Sequence, residues 1–416
     1  MATTAIIVGA GNRGSTYAEF ATFAPDKLKI VGVAEPIELL RNRMVKKYSI
    51  KKDMAWDTWE KMLDHERLAE LAIITTQDRM HKEPAVKLAA KGYHILLEKP
   101  MAVMYEDCCE IVQAAKRNGV MFGVCHVLRY YPQYIRIREL IESGEIGEVH
   151  NIQHTEPVGF WHYAHSYVRG NWRKESKSSS SLLAKCCHDL DLINYWMGNK
   201  KCTNISSFGS LMHFTAANKP ANAGLNCLSC PIEDTCAYSA KKIYLGRAKE
   251  GNFDWPVSVV TKTADIEDLT DALRNGQYGR CVYDCDNDVM SNQVVSMQFI
   301  GGATATLTMV AFTERICSRQ TVISGSKGEI TCDYYGPVKV YDFLSRKTTE
   351  YHAESGERIG GHNGADHHLM VTFIDAVRAK DQSRILAGPD ETLYSHRLVF
   401  EAEKARLENR VVSMEE

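Results

Sequence analysis

The stretch Gly9-Ala10-Gly11-Asn12-Arg13-Gly14 sets the architecture of the first 125 residues of this chain. It follows an apolar run at residues 4–8, which predicts a buried parallel strand, and it opens a helix predicted over residues 13–23. The first glycine permits a tight turn, the second lets a pyrophosphate approach the backbone, and the third allows close packing of helix on strand. Because a helix N-terminus offers unpaired N–H groups to phosphates, the stretch predicts a dinucleotide site.

Glu35 ends the second predicted strand, 21 residues after Gly14. A carboxylate at this place accepts hydrogen bonds from the ribose hydroxyls of NAD and repels the 2′-phosphate of NADP, so NAD is the expected cofactor. Arg41 and Arg43 lie close by in the sequence and keep NADP as the less favoured alternative. A glycine turn without a ligand is the alternative for the motif alone, but strand, spacing, helix and acid agree here.

Strand and helix patterns alternate through residues 1–125, which we take as the dinucleotide-binding domain. Further strands are predicted at residues 28–34, 71–75, 94–97 and 120–124, and further helices at residues 36–46, 82–91 and 105–118. Strand–helix units at this interval predict a doubly wound parallel sheet.

The pattern changes in residues 126–416. Helices are predicted at residues 132–143, 365–379 and 390–408, and strands at residues 148–156, 294–299, 303–311, 320–324, 328–333 and 338–343. Glycines punctuate the later strands, which predicts an antiparallel meander.

Composition excludes several classes of protein. The 416 residues carry a net charge of −2, with no basic arm for nucleic acid and no acidic tail. No apolar run approaches the roughly 18–20 residues that a membrane span needs, and the first residues show no signal peptide, so we expect a cytoplasmic protein. In that compartment the thirteen cysteines are expected to be thiols or metal ligands rather than disulfides.

Glu98-Lys99-Pro100 directly follows a predicted strand of the parallel sheet, at the edge where ligands bind in such folds. Pro100 restricts Lys99 to extended backbone geometry. Alone, the motif favours an exposed surface lysine at position 99 over a catalytic one.

In combination these motifs resemble the glucose–fructose oxidoreductase/inositol dehydrogenase (Gfo/Idh/MocA) family. The resemblance rests on residues 9–14, Glu35, residues 75–81, residues 98–100, Arg129-Tyr130-x-Pro132 and Cys187-His188-Asp189-Leu190-Asp191. It implies an α/β protein with an N-terminal Rossmann domain and a C-terminal α/β domain on a large, mostly antiparallel open sheet. It also implies NAD(P)-dependent chemistry on sugars or cyclitols, and a homodimer or homotetramer that assembles through that sheet.

The resemblance also implies roles for individual residues. The family lysine corresponds to Lys99 and its histidine to His188, whereas the aspartate that many members carry four residues before the histidine is Ala184 here. We therefore expect His188 to be the general base, with Lys99 or Lys185 polarising the substrate hydroxyl; a structural His188 that caps a helix is the alternative. The residues expected to bind the cofactor are Gly9, Gly11, Asn12, Arg13, Gly14, Glu35, Thr75, Thr76, His81, Glu98 and Lys99.

Residues 161–173 are dense in aromatic rings and hydrogen-bond donors, which suits sugar binding. The candidates for substrate contact are His162, His165, Arg169 and Trp172, although such aromatic residues also fill cores. A second loop, residues 362–368, holds three histidines and Asp366, which suggest either a metal site or a capped helix. We predict substrate contact for His367 and no catalytic metal.

A Cys-rich insert at residues 218–254 fits neither pattern. Cys227, Cys230 and Cys236, with Cys281 or Cys285 as a fourth ligand, predict one structural zinc. An iron–sulfur cluster and a set of unliganded thiols are the alternatives.

Three functions remain open from the sequence. The first is NAD-dependent oxidation of a secondary hydroxyl of a sugar, glycoside or cyclitol. The second is glycoside hydrolysis through transient oxidation at C3, elimination, addition of water and re-reduction by the same cofactor. The third is a cofactor-binding regulatory protein without turnover, which the presence of both Lys99 and His188 disfavours.

Overall fold

A six-stranded, fully parallel sheet forms the N-terminal part of the computed structural model, which describes residues 1–198, 200–352 and 361–414. Its strands are β1 (Thr3–Val8), β2 (Leu28–Ala34), β3 (Ala55–Trp56), β4 (Leu71–Ile74), β5 (His94–Leu97) and β6 (Phe122–Val124). The helices between them are α1 (Asn12–Phe23), α2 (Glu38–Tyr48), α3 (Lys82–Ala90) and α4 (Tyr105–Arg117). The predicted doubly wound parallel sheet is confirmed; the short β3 had no counterpart in the sequence pattern.

The strand order of this first sheet is β3-β2-β1-β4-β5-β6. The order reverses between β1 and β4, and ligands of open α/β sheets bind in the crevice at such a switch point, beyond the carboxyl ends of the strands. The glycine stretch follows β1, Glu35 follows β2, Thr75 follows β4, and Glu98 follows β5. All four therefore lie at one edge of the sheet.

A nine-stranded second sheet follows, and it is mixed but largely antiparallel. Its strands are β7 (Val149–Pro157), β8 (Cys202–Ser210), β9 (Asn292–Phe299), β10 (Thr304–Val310), β11 (Gln320–Gly325), β12 (Gly328–Asp333), β13 (Val338–Asp342), β14 (Thr348–Tyr351) and β15 (Val412–Ser413). The order is β14-β13-β12-β11-β7-β10-β9-β8-β15.

The simple meander predicted for this region is wrong in one respect. Strand β7 lies between β10 and β11 and pairs with β10 in parallel, so these two consecutive strands are not neighbours. The alternating pattern of each strand was visible in the sequence, but a partner that lies more than 140 residues away in the chain was not.

One face of the second sheet is covered by helices, and the other is open in the single chain. In β9, Val295 and Met297 are buried, whereas Val294, Ser296 and Gln298 are exposed. The helices of this half are α5 (Pro132–Glu142), α6 (Phe160–Tyr163), α7 (Ser181–Trp196), α8 (Gly246–Lys249), α9 (Val257–Val260), α10 (Ile266–Asn275), α11 (Ala365–Ala379) and α12 (Pro389–Glu408).

Helix α7 runs through the centre of the molecule and is buried along nearly its whole length. The side chain of Ser180 caps its start by accepting a hydrogen bond from Leu183 N (3.2 Å). The helix contacts β7 and β10 on one side and α12 on the other. Its residues are thus presented to the crevice from a rigid element.

Residues 211–291, called the excursion below, connect the neighbouring strands β8 and β9 and extend beyond the predicted insert at 218–254. The excursion has a small apolar core of its own, in which Tyr244, Val257, Leu269 and Leu273 are buried. In the part of the chain that the structure describes, no helix is both long and apolar enough to cross a membrane.

Candidate active site

The glycine stretch adopts a turn that requires glycine at positions 9 and 14. Gly9 has a φ of +94°, and a Cβ there would lie 2.8 Å from Thr75 O; a Cβ on Gly14 would lie 2.0 Å from Gly9 O. Around Gly11, by contrast, no heavy atom lies within 4 Å of the Cβ position. Gly11 is also the N-cap of α1 and provides no side-chain cap, so the first N–H groups of the helix face open space. This arrangement fits a pyrophosphate.

Glu35 is held beside this turn by two backbone amides. Its Oε2 accepts from Ala10 N (2.7 Å) and its Oε1 from Ile37 N (2.8 Å), and the side chain is buried. A carboxylate fixed at the end of β2 retains lone pairs for ribose hydroxyls, so the residues present fit the adenosine half of NAD.

Thr75, Thr76 and His81 support the loops around the crevice. Thr75 Oγ1 donates to Gly9 O (2.6 Å), and Thr76 Oγ1 donates to Met80 O (3.2 Å). The ring of His81 lies between Pro100 O (2.7 Å) and Thr76 O (3.0 Å). Each of these four contacts fixes backbone that borders the crevice.

Arg13 pairs with one carboxylate from each half of the molecule, Glu98 and Asp366. Glu98 Oε1 accepts from Arg13 Nε (2.6 Å), and Glu98 Oε2 accepts from Lys99 N (2.6 Å). Burial raises the pKa of Glu98, but the charges of Arg13 and Lys99 outweigh it and hold that pKa below its ordinary value. Arg13 also donates to Asp366 Oδ1 (2.5 Å), at the start of α11. Its guanidinium is thus occupied by two carboxylates of the protein.

Lys99 contacts the turn of α7 that leads to His188. Lys99 Nζ donates to Ala184 O (2.6 Å), and His188 follows four residues later on the same helix. A backbone carbonyl therefore orients the lysine at the position where the expected aspartate is missing.

The surroundings of His188 favour its neutral form. It is buried, and its Nδ1 has no hydrogen-bond partner among the described residues. The rings of His126 and His362 lie 5.5 and 6.2 Å away, centroid to centroid. Burial, followed by the charge of Lys99, holds the pKa of His188 well below its ordinary value. An unprotonated imidazole beside an ammonium group can accept a proton from a hydroxyl placed between them.

Lys185 belongs to a neighbouring group of side chains. Its Nζ donates to Cys317 Sγ (2.9 Å) and lies 3.3 Å from Glu156 Oε1, and Cys317 Sγ is in turn 3.3 Å from His162 Nδ1. Burial lowers the pKa of Lys185, but Cys317 and Glu156 outweigh it and raise that pKa above its ordinary value. Lys185 is therefore a fixed cation.

Two aspartates of α7 serve the helix rather than the chemistry. Asp189 is bound by Arg319 Nε (2.7 Å) and His154 Nε2 (2.9 Å). Asp191 receives a bidentate pair from Arg129 (2.6 and 2.8 Å). Both carboxylates are fully buried, so these pairs fix the rotation of α7 and with it the position of His188.

The predicted substrate residues do not converge on one place. Of the five, His162 joins the Lys185–Cys317 group, whereas His165 contacts Tyr244 OH in the excursion (2.8 Å). Fully buried Arg169 donates to two excursion carbonyls, those of Arg280 and Tyr238 (2.7 and 2.8 Å).

The remaining two predicted substrate residues have structural partners. Trp172 Nε1 donates to Asp78 Oδ2 (3.0 Å), and His367 packs on Phe23 of α1 with ring centroids 4.8 Å apart. His362 is the histidine of that loop nearest to His188, and our sequence reasoning missed it. Its spacing from Asp366, which it contacts at 3.2 Å, was the available signal.

The cysteine prediction is only partly met. Cys227, Cys230, Cys236 and Cys281 line one cavity of about 290 Å³, but Cys285 does not and instead donates to Cys281 O. Within the described ranges, no three His, Cys, Asp or Glu side chains are placed to hold a metal ion. The predicted zinc is therefore unsupported. All thirteen cysteines are free thiols in the structure.

Comparison with known proteins gives two family matches. Residues 3–126 match the NAD-binding Rossmann fold of the GFO/IDH/MocA oxidoreductase family, and residues 138–237 match the C-terminal alpha/beta domain of the same family.

Three related proteins show how similarity to known sequences is distributed along the chain. The Bacillus subtilis (strain 168) protein YteT is 24% identical over 343 residues, which are 78% of this chain and 77% of that protein. The 2,7-anhydro-N-acetylneuraminate hydratase of Escherichia coli K12 is 33% identical over 35% of this chain and 38% of the hydratase. The inositol 2-dehydrogenase of Salmonella typhimurium is 26% identical over 47% of this chain and 54% of that enzyme. The match thus covers about half of the dehydrogenase and less than half of the hydratase.

The same fold recurs along the whole chain in a crystal structure of an NAD-binding oxidoreductase from Klebsiella pneumoniae. The TM-score is 0.73 at 16% identity, and the match covers 100% of both chains.

Proposed function

Because the chain belongs to the Gfo/Idh/MocA family of NAD-binding oxidoreductases, we propose that it removes a hydride from a secondary hydroxyl carbon of a sugar, glycoside or cyclitol. The observation that carries the proposal is the meeting of Lys99 with the helix turn that bears His188, beside an open glycine turn (Lys99 Nζ to Ala184 O, 2.6 Å). The names of the inositol 2-dehydrogenase and hydratase relatives support a polyhydroxylated substrate.

NAD, held by the glycine turn and Glu35, would supply the acceptor for the hydride. His188, neutral because of its burial, takes the hydroxyl proton. Lys99 uses one N–H for Ala184 O and has two others for the substrate oxygen, where they stabilise negative charge as the proton leaves. The two aspartate pairs of α7 keep His188 at a constant position during this transfer.

A second candidate function is a redox-assisted cleavage or hydration, in which the cofactor returns the hydride to the same molecule. Oxidation at C3 makes the C2 proton acidic, elimination expels the C1 substituent, and water adds before re-reduction. The Lys185–Cys317–His162 group favours it, because a departing oxygen needs a nearby cation or proton donor. The hydratase relative supports the same class of reaction.

The base assignment is tested by His188→Asn, with His150→Asn, an exposed histidine of β7, as the matched control. We expect turnover to fall about 10²- to 10⁴-fold while NADH binding, followed by its fluorescence, stays within threefold of the unaltered protein. Turnover of His188→Asn near that of the control would rule out His188 as the base.

The two functions are separated by incubating the enzyme with NAD and a panel of glycosides and cyclitols in deuterated water. A dehydrogenase accumulates NADH with its substrate and leaves the C2 hydrogen in place. The redox-assisted reaction accumulates no NADH, exchanges the C2 hydrogen for deuterium and changes the C1 substituent. If the whole panel shows neither result, the proposed substrate class is wrong.

We further propose that the chain forms a homodimer or homotetramer through the open face of the second sheet. Phe208 of β8 and Val294 of β9 are cross-strand partners on that face and are 68% and 40% exposed in the single chain. Apolar side chains side by side on an open sheet are stabilised when a second copy covers them.

A further inference from the structure

Part of the excursion lies over the glycine turn. Residues 253–264 and the first turn of α1 line one cavity of about 590 Å³. Gly11, Asn12 and Thr16 border it from the first domain, and Val259 and Lys262 border it from the excursion. The volume is within the range of small-molecule sites.

Three contacts hold this segment in place. Val257, within it, is buried in the core of the excursion, and the side chain of Asp265, directly after it, caps α10. In between, Arg43 of α2 donates to Lys262 O (2.7 Å), and Lys262 Nζ donates to Ser258 O (2.9 Å). These contacts therefore fix the segment as one wall of the cavity.

The charges at this wall suit a phosphate-bearing ligand. Lys262 is exposed in the chain, with Arg43 as a cationic neighbour and Glu35 as an anionic one. Glu35 marks the ribose position, and the uncapped N-terminus of α1 borders the same cavity. Arg43, Lys262 and the first residues of α1 thus line one cavity, together with Ala10, whose amide donates to Glu35.

We propose that residues 253–264 form a cap over the adenosine half of the dinucleotide, in which Lys262 contacts the ribose and its phosphate and retains the cofactor between turnovers. The inference rests on the proposed dinucleotide site and goes beyond it, since the wall comes from the other half of the chain. Retention suits the redox-assisted reaction, because the hydride must return to the molecule from which it came. A dehydrogenase, in contrast, has to exchange its cofactor in every cycle.

The test uses the full-length protein loaded with NADH and mixed rapidly with excess NAD, with the loss of NADH fluorescence as the readout. Lys262→Ala is expected to release NADH at least tenfold faster than the unaltered protein. Lys262→Arg is expected to stay within threefold, and so is Lys249→Ala, an exposed lysine of α8 away from the cavity. A release rate of Lys262→Ala within twofold of the unaltered protein would overturn the cap.

A second measurement does not depend on any variant. Backbone amides of residues 257–264 are expected to exchange hydrogen more slowly when NAD is added to the unaltered protein, and unchanged exchange there contradicts the cap. If the unaltered protein binds no NADH, the dinucleotide site itself is wrong. If it binds NADH but neither the release rate nor the exchange responds, only the cap is wrong.

Discussion

Lys99 shows how a main-chain atom can take over from a missing side chain. The aspartate expected four residues before His188 is Ala184, yet the carbonyl of that alanine accepts the lysine hydrogen bond. The carbonyl carries no full charge, so it does not neutralise the lysine as a carboxylate at this position would. The charge of Lys99 also lowers the pKa of His188, and among the causes of this lowering only burial is larger.

Glu35 carries the cofactor preference at the scale of one residue. Glu35→Gln removes the negative charge but keeps an acceptor for Ala10 N or Ile37 N. We expect NAD affinity to fall about fivefold to tenfold, and NADP affinity to rise relative to NAD, because the repulsion of a 2′-phosphate is removed. Titration of both cofactors by fluorescence checks this, with Glu38→Gln, an exposed neighbour, as the control. An unchanged ratio of the two affinities would show that Glu35 does not discriminate.

At the scale of elements, helix α7 is positioned by buried charge. Arg319 contacts Asp189 (2.7 Å) and Glu156 (3.0 Å), and Glu156 also contacts Lys185. Removing one member of such a group leaves a buried charge without its partner, and this costs far more than the loss of an exposed pair.

Arg319→Met is therefore expected to lower the free energy of unfolding by about 3–5 kcal/mol. The matched control is Arg315→Met, whose partner Asp333 is exposed, and there we expect a loss of at most about 1 kcal/mol. Urea unfolding measures both. Equal losses in the two variants would show that the buried group does not stabilise α7.

Over the whole molecule, buried histidines connect stability to pH. Burial, together with nearby charges, lowers the pKa of His126 to about 4 and that of His396 to about 3, and lowers that of His188 as well. In the unfolded chain each titrates near its ordinary value of about 6.5. The unfolded state therefore binds more protons below that pH, so stability is present above pH 6.5 and falls as the pH drops.

His126→Leu isolates one of these groups, since neither ring nitrogen of His126 has a hydrogen-bond partner in the described chain. Between pH 5.5 and 4.5 we expect the free energy of unfolding to fall less steeply in this variant, by about 1.4 kcal/mol per pH unit. His150→Leu, at an exposed position, is expected to keep the original slope. Urea unfolding at several pH values decides, and identical slopes for both variants would contradict the assignment.

Assembly is also a property of the whole molecule. Val294→Lys places a charge on the open face of the second sheet, next to Phe208, and is expected to yield monomers in size-exclusion chromatography with light scattering. Lys339→Glu, an exposed position nearer the other edge of the sheet, serves as a charge-changing control. An oligomer that survives Val294→Lys would place the interface elsewhere.

The sequence was sufficient to predict the structure wherever a short stretch of residues restricts its own backbone. Gly9 and Gly14 are required by the turn itself, and the alternation in β9 is required by a sheet with one buried face. These properties arise from neighbouring residues, so their pattern survives in the linear chain. The parallel sheet and the position of Lys99 at its edge followed from them.

Other features depend on residues that are distant in the chain. The place of β7 between β10 and β11, the group around Lys185 and the contact of Arg43 with residue 262 each join segments more than a hundred residues apart. No local periodicity encodes such a contact, because it arises only when packing brings two surfaces together. The glycine stretch and Lys99 alone therefore indicated a dinucleotide and a base, whereas the folded chain determined what orients that base and which segment borders the dinucleotide site.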